Sequence, residues 1–227
     1  MAEMPVNKIA IIGQSPAACA FIEAFRAAGR TQPDIRLFTL GDPYPSRRFL
    51  FPQWIAGEIS EDQVSCAPPD FFTAHKVTLC DKKIHRLNLK KQRIVTDDKE
   101  VWDYDALLMA DCETTALPAL RGNQKFGLFT LRRRDEVKEM LDNITLVETA
   151  VIQSGTLRGL KTALALRKRG LEVVWISGEG QILAGELESA CAGIVRDLLE
   201  QEGVRVITEN SVTAVLGESD MRAVRLG

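Results

Sequence analysis

The sequence predicts an α/β protein made of two copies of one strand-turn-helix-strand unit, and three observations carry that prediction. Residues 147–177 repeat in outline residues 1–42, each copy running apolar strand, small-residue turn, amphipathic helix, apolar strand. In both copies the turn lies directly between strand and helix, the βαβ arrangement that holds a dinucleotide. The third observation is composition: 227 residues with 45% hydrophobic and 26% charged side chains are ordinary for a globular protein, with room for one large or two small domains.

The first copy sets the strand Lys8-Ile-Ala-Ile-Ile12 before Gly13-Gln-Ser-Pro-Ala-Ala18, a helix to about Arg30, and the strand Ile35-Arg-Leu-Phe-Thr-Leu40, which ends at Asp42. In the G-x-G-x-x-G turn, the first glycine permits the tight bend, the second lets main chain approach a pyrophosphate, and the third lets helix and strand pack closely. Here those places hold Gly13, Ser15 and Ala18, so the bend is kept and a hydroxymethyl stands at the approach position. The second copy runs through Gln153-Ser-Gly-Thr-Leu-Arg-Gly159, with Ser154, Thr156 and Gly159 at the three places and Gly155 between the first two. A β-branched Thr156 stands where phosphate needs bare backbone. Asp42 is placed to accept the hydroxyls of an adenosine ribose, and Ser177 stands at the matching end in the second copy without a charge.

The helix after the first turn predicts a buried stripe of Ala17, Ala20, Phe21, Ala24, Phe25 and Ala28, ending at Gly29. A loop from Asp42 leads to a short helix within residues 49–58, stopped at Ala56-Gly57. Short strands over 76–80, 84–89, 92–96 and 101–102 read as a meander, followed by a buried strand over 104–110. Residues 117–127 read as linker and 134–141 as a helix. After the second copy, a helix over 186–202 sets Leu187, Ala190, Cys191, Ile194, Val195, Leu198 and Leu199 on one face, before a strand over 204–207 and a hairpin over 211–226. The boundaries drawn are a first domain over 1–116, a linker over 117–145 and a second domain over 146–227.

A net charge of -2 with both signs scattered argues against a nucleic-acid surface. The run Arg132-Arg-Arg134 reads as a solvated face or a partner for carboxylates, with a phosphate contact as the alternative. No secretory leader opens the chain and no apolar run approaches the roughly 18 residues a bilayer span needs, so the expectation is a cytoplasmic protein without a membrane partner. Five cysteines in no metal-like spacing read as reduced thiols, and two isolated histidines give no metal site.

The order of elements resembles the pyridine nucleotide-disulfide oxidoreductase superfamily, in the branch of nitrite reductase, rubredoxin reductase and ferredoxin reductase components. The resemblance covers nearly the whole chain. Gly13 to Ala18 looks like that family's FAD turn and Asp42 its ribose acid. Arg48 with Trp54-Ile-Ala-Gly-Glu58 is similar to the family's Arg-Pro-Leu-Leu-x-Lys-Tyr-Leu-Ala-Gly-Glu segment beside the flavin. Tyr104-Asp-Ala-Leu-Leu-Met-Ala110 looks like the strand before the family's Ala-Thr-Gly. Gly159-Leu-Lys-Thr-Ala-Leu-Ala-Leu-Arg-Lys-Arg-Gly170 is similar to the helix of its NAD domain.

What the resemblance implies is a pair of Rossmann-like dinucleotide-binding domains (FAD/NAD(P)-binding fold). FAD would be held by Gly13, Ser15, Ala18, Asp42 and Arg48, and NAD(P) by Gly155, Gly159 and Ser177. The family's second FAD segment and C-terminal interface domain would lie beyond Gly227. An oligomer or a partner redox subunit is then expected to cover the exposed sheet edges. Departures from the pattern fall at cofactor contacts. Gln53 stands for the flavin-side lysine, Asp111-Cys112 for Thr-Gly, and Lys161 for a glutamate of the NAD helix. Two functions stay open on this reading: an FAD-dependent NAD(P)H oxidoreductase passing electrons through flavin to a partner, with weakened cofactor sites, or a non-catalytic pseudoenzyme subunit that keeps the frame. No side chain offers itself as a general acid or base.

Overall fold

The computed structural model describes residues 6–39, 45–110 and 120–227. In chain order the elements are β1 (Lys8–Ile12), α1 (Pro16–Ala27), β2 (Asp34–Thr39), a 3-10 turn (Arg48–Leu50) running into α2 (Phe51–Ala56), α3 (Glu61–Val64), α4 (Phe71–Ala74), β3 (Val77–Asp81), β4 (Ile84–Asn88), β5 (Arg93–Thr96), β6 (Val101–Asp103) and β7 (Ala106–Met109). They continue with α5 (Arg134–Asn143), a 3-10 turn (Ile144–Leu146), β8 (Thr149–Gln153), α6 (Leu157–Lys168), β9 (Glu172–Ile176), α7 (Ser189–Gln201), β10 (Val204–Ile207), β11 (Val212–Leu216) and β12 (Ala223–Leu226). The chain forms two compact units that do not follow chain order: Met1–Arg47 with Ser65–Thr114, and Arg48–Val64 with Thr115–Gly227.

The first unit is a parallel sheet in the order β3-β2-β1-β7 and an antiparallel meander β4-β5-β6. Side chains alternate across a strand, and the alternation of β1 sorts two cores onto the two sheet faces. Ile9 and Ile11 pack with Ala18, Cys19 and Ile22 of α1 and with Phe71 and Phe72. Ala10 joins Phe38, Ile94, Trp102 and Tyr104 on the meander side. The strand expected over 76–80 therefore belongs to the parallel sheet, where Ile35 to Thr39 pair with Val77 to Asp81, and only the next three strands form the meander. β7 is half-buried rather than buried throughout, with Met109 exposed.

The stripe expected on α1 is displaced by about one residue. Ala18, Cys19 and Ile22 are the buried positions, Phe21 and Phe25 stack on each other half-buried, and Ala17, Ala20, Ala24 and Ala28 are exposed. Alanine fits both faces of a helix, so four alanines left the phase of the stripe open. What fixes it is the cap: Ser15, extended at φ -130°, accepts from the Ala18 N–H and starts the helix at Pro16.

The second unit carries the parallel sheet β10-β9-β8, the hairpin β11-β12, and a core in which Trp175, fully buried, meets α6, α7 and α2. The single-face reading of α7 is corrected here. Ala192 and Leu199 are buried and Leu187 and Val195 pack on the core, whereas Cys191 is exposed and Ile194 and Leu198 are 63% and 55% exposed. α2 stops at Gly57, left-handed at φ 76°, and the Arg169 guanidinium donates to the Ile55 carbonyl at 2.6 Å. The arginine run meets carboxylates: Arg133 pairs with Asp135, and Arg134 lies 3.6 Å from Glu61. Among the described residues no helix is long and apolar enough to cross a membrane, and no cluster of His, Cys, Asp and Glu could hold a metal.

Candidate functional site

Each unit places a strand-to-helix turn at the carboxyl end of its parallel sheet, and the hydrogen bonds put the two turns in register. Gly13 N–H donates to the Phe38 carbonyl at 3.1 Å, and Ser154 N–H donates to the Ile176 carbonyl at 3.1 Å. Ile12 pairs with Phe38 as Gln153 pairs with Ile176. So Gly13, Ser15 and Ala18 correspond to Ser154, Thr156 and Gly159. By the same register Ser177 corresponds to Thr39, not to Asp42 as sequence position implied; Asp42 lies outside the described residues.

In the first turn Gly13 adopts φ 102°, a conformation that costs a residue with a side chain about 1–2 kcal/mol. Ser15 Oγ takes the Ala18 N–H at 3.3 Å, while the Ala18 and Cys19 N–H groups also point to the Ser15 carbonyl at 3.0 and 3.3 Å. Pro16 has no N–H to give. The N–H groups of Ser15 and Ala17 have no acceptor among the described residues, and the first turn of α1 holds no acidic residue. Two buried oxygens at this end of the sheet also lack partners there: Gln14 Oε1, beside Gly13, and Thr39 Oγ1. A buried oxygen without a donor costs about 1–3 kcal/mol, and a ligand bearing hydroxyls or N–H groups would remove that cost. Beside the turn, burial, with Cys66 and Glu23 adding to it, pushes the Cys19 thiol up to about 11, which makes it a packing group.

The second turn is bonded within the chain at several groups, although the N–H groups of Gly155, Arg158 and Gly159, like those of Ser15 and Ala17, have no acceptor among the described residues. Ser154 Oγ accepts the Thr156 N–H at 3.2 Å and lies 3.2 Å from Thr156 Oγ1. A β-carbon added to Gly159 would fall on the Ser154 side chain, whereas Gly155 faces open space. Trp175 Nε1 donates to the Ser154 carbonyl at 2.5 Å. The N–H of Leu157, first residue of α6, goes to Glu186 Oε1 at 3.2 Å. Ser177 is fully buried, donating to the Gln181 carbonyl at 3.1 Å and accepting from the Glu179 N–H at 3.4 Å, so both its hydrogen-bonding roles serve the loop after β9.

Of the residues expected to hold cofactors, the structure brings Gly13, Ser15 and Ala18 together in one unit, and Gly155, Gly159 and Ser177 at one end of the other sheet. Arg48 begins the 3-10 turn before α2 and belongs to the second unit. Gln53, in place of the expected lysine, is exposed on α2. Asp111 and Cys112 lie outside the described residues. Sequence reasoning missed Gln14, Thr39, Trp175 and Glu186. Counting the strand register from Gly13 would have found Thr39; nothing local marks Glu186, which acts 29 residues away in sequence.

Residues 7–226 match the family model described as pyridine nucleotide-disulphide oxidoreductase. The chain belongs to that family. Among its relatives is the ferredoxin reductase component of chlorobenzene dioxygenase from Cupriavidus sp. (strain PS12), 28% identical over 219 residues that cover 95% of this chain and 53% of that protein. Another is the assimilatory nitrate reductase electron transfer subunit of Bacillus subtilis (strain 168), 23% identical over 216 residues, 94% of this chain and 28% of that one. The fold matches putidaredoxin reductase in its covalent complex with putidaredoxin, with a TM-score of 0.87 at 19% identity over 97% of this chain and 54% of that one. It also matches the water-forming NADH oxidase of Lactobacillus brevis bound to NADH, with a TM-score of 0.86 at 11% identity over 97% and 50%. The chain thus spans about half the length of most of these relatives, or less, and its parallel sheets match in fold the FAD/NAD(P)-binding Rossmann domains of the family.

Proposed function

We propose that the first unit is an FAD site and that the chain serves as the flavin-holding part of an electron-transfer oxidoreductase, with a nicotinamide turn much weaker than its flavin turn. The observation that carries this reading is the inequality of the two turns. The first keeps a positive-φ glycine, a neutral capping hydroxyl at the helix start, and the unpartnered oxygens of Gln14 and Thr39. The second spends Ser154, Thr156, Leu157 and Ser177 on bonds within the chain.

The first turn fits the ADP half of FAD. Main-chain N–H of Ser15 and Ala17, at the positive end of α1, would meet pyrophosphate oxygens; Thr39 and Gln14 would accept from ribose or adenine donors. Gly13 and Ala18 keep the bend and the helix close enough for that approach. Bound, FAD accepts a hydride and passes electrons on singly or in pairs. The role assigned to the residues here is to bind and orient it. A redox partner completes the proposal, and relatives described as a reductase component and an electron transfer subunit support it. A second reading, a non-catalytic subunit that keeps the frame, is favoured by Gly159 and Ser177, whose places are explained by packing and loop bonds alone.

Titration of the purified chain with FAD, followed by flavin absorbance and fluorescence quenching, separates the two. Saturable 1:1 uptake is expected, and NADH oxidation with ferricyanide as acceptor should be slow. Ser15→Gly clears the hydroxymethyl from the approach position and should tighten FAD severalfold. No uptake by either protein leaves the non-catalytic reading.

A further inference from the structure

The start of a helix carries unmet N–H groups and partial positive charge, and it collects whatever anion is nearest. At α1 the cap is a neutral hydroxyl, Ser15, with no acid in the first turn. At α6 the capping residue Thr156 makes no side-chain cap bond, and the acceptor at the helix start is a carboxylate from elsewhere in the chain: Glu186 takes the Leu157 N–H at 3.2 Å. Its position is held by its loop. Ile182 and Leu183 are buried, Leu183 sits at φ 51°, and its carbonyl accepts the N–H groups of Glu186 and Leu187 at 2.8 and 2.9 Å. Gln181 fastens the same loop from both ends, donating to the Leu187 carbonyl at 2.9 Å and accepting from Ser189 Oγ at 2.7 Å.

We propose that Glu186 is an internal anion that guards the second nucleotide turn, so that a diphosphate reaches the Leu157 N–H at the start of α6 only by displacing a carboxylate of the chain itself. This deepens the reading above, on which it rests for the identity of the turn. The Thr156 side chain crowds the phosphate position; Glu186 adds a charge of the same sign as the ligand, held where the pyrophosphate of a dinucleotide would take its first N–H. Crowding alone would penalise any ligand at the turn. A fixed carboxylate penalises phosphate in particular, so the selectivity against charge belongs to Glu186.

The test is calorimetric titration of the full chain with inorganic pyrophosphate, ADP-ribose and uncharged adenosine, for the wild type, Glu186→Gln and Glu186→Ala. Glu186→Gln keeps the length and the acceptor oxygen without the charge, which guards against a loop that fails to form in Glu186→Ala. The expected result is at least about a tenfold gain in affinity for pyrophosphate and ADP-ribose in Glu186→Ala, a smaller gain in Glu186→Gln, and no change for adenosine, as follows from removing one charge at hydrogen-bond distance from a diphosphate. Equal affinities in all three proteins, or an equal gain for adenosine, would overturn the proposal. FAD titration of the same samples reads the first turn separately. Normal flavin uptake without a diphosphate gain defeats only the role of Glu186, and a diphosphate gain without flavin uptake defeats only the flavin reading.

Discussion

Substituting alanine for Gly159 tests directly whether that glycine serves a phosphate or a neighbour. A β-carbon at this buried position would overlap Ser154 Oγ and Cβ, so either the serine rotates out of its bonds with Thr156 or the first turn of α6 moves away from β8. Overpacking of this kind costs about 1–3 kcal/mol, against which alanine gains about 1 kcal/mol over glycine inside a helix. Gly159→Ala alone should therefore be destabilising by up to about 2 kcal/mol. In a Ser154→Gly background the obstruction is gone, and the same substitution should stabilise by about 1 kcal/mol. The coupling between the two sites is then about 1–3 kcal/mol, well above the roughly 0.5 kcal/mol within which independent sites add. Urea unfolding followed by tryptophan fluorescence is the assay, since Trp175 bonds the Ser154 main chain, which the serine-to-glycine change leaves in place. Additive effects would refute the packing account and return Gly159 to a role in ligand approach.

Gly13→Ala should cost about 1–2 kcal/mol through its positive φ, in contrast to Gly155→Ala, whose site is open, and a far-UV melt of the two variants checks the difference. Asp98, bonded to Lys82 and Thr96, has its carboxyl held down to about 2. A depressed carboxylate lends stability above its unfolded value near 3.8 and loses it as pH falls toward 2, so the stability gap between wild type and Asp98→Asn should be flat above about pH 5 and close below it. Unfolding midpoints between pH 2 and 6 test that window. Cys191, exposed on α7, should react with a thiol reagent at pH 8 in the folded protein, while buried Cys19 reacts only on unfolding; prompt modification of Cys19, seen by mass mapping, would contradict its packing role.

The repeat of strand, turn and helix was legible because it depends on local pattern: short apolar runs such as Lys8-Ile-Ala-Ile-Ile12 and Val173 to Ile176 read as buried interior strands of a parallel sheet. Phase and partnership were less so. The alanines of α1 fit either face, and the apolar residues of α7 outnumber what its buried side can hold, leaving Ile194 and Leu198 outside. Val77 to Asp81 has the length and alternation of a meander strand; its place beside β2 is set by long-range pairing that no window reveals. At the site, glycine spacing pointed to both turns, but what tells them apart is contacts distant in sequence, Glu186 to Leu157 and Trp175 to Ser154.

The helix α2 has a consequence for how this chain comes into being. Phe51, Trp54, Ile55 and Val64 complete the hydrophobic core around Trp175, yet they leave the ribosome about a hundred residues ahead of α6, against which they pack. During synthesis those aromatic groups must wait, exposed, until the sheet and helices they pack against have been made. A chain divided near residue 117 and expressed as two pieces would strand this segment on the wrong fragment, and recovery of the C-terminal piece in soluble form would depend on supplying residues 48–64 in trans.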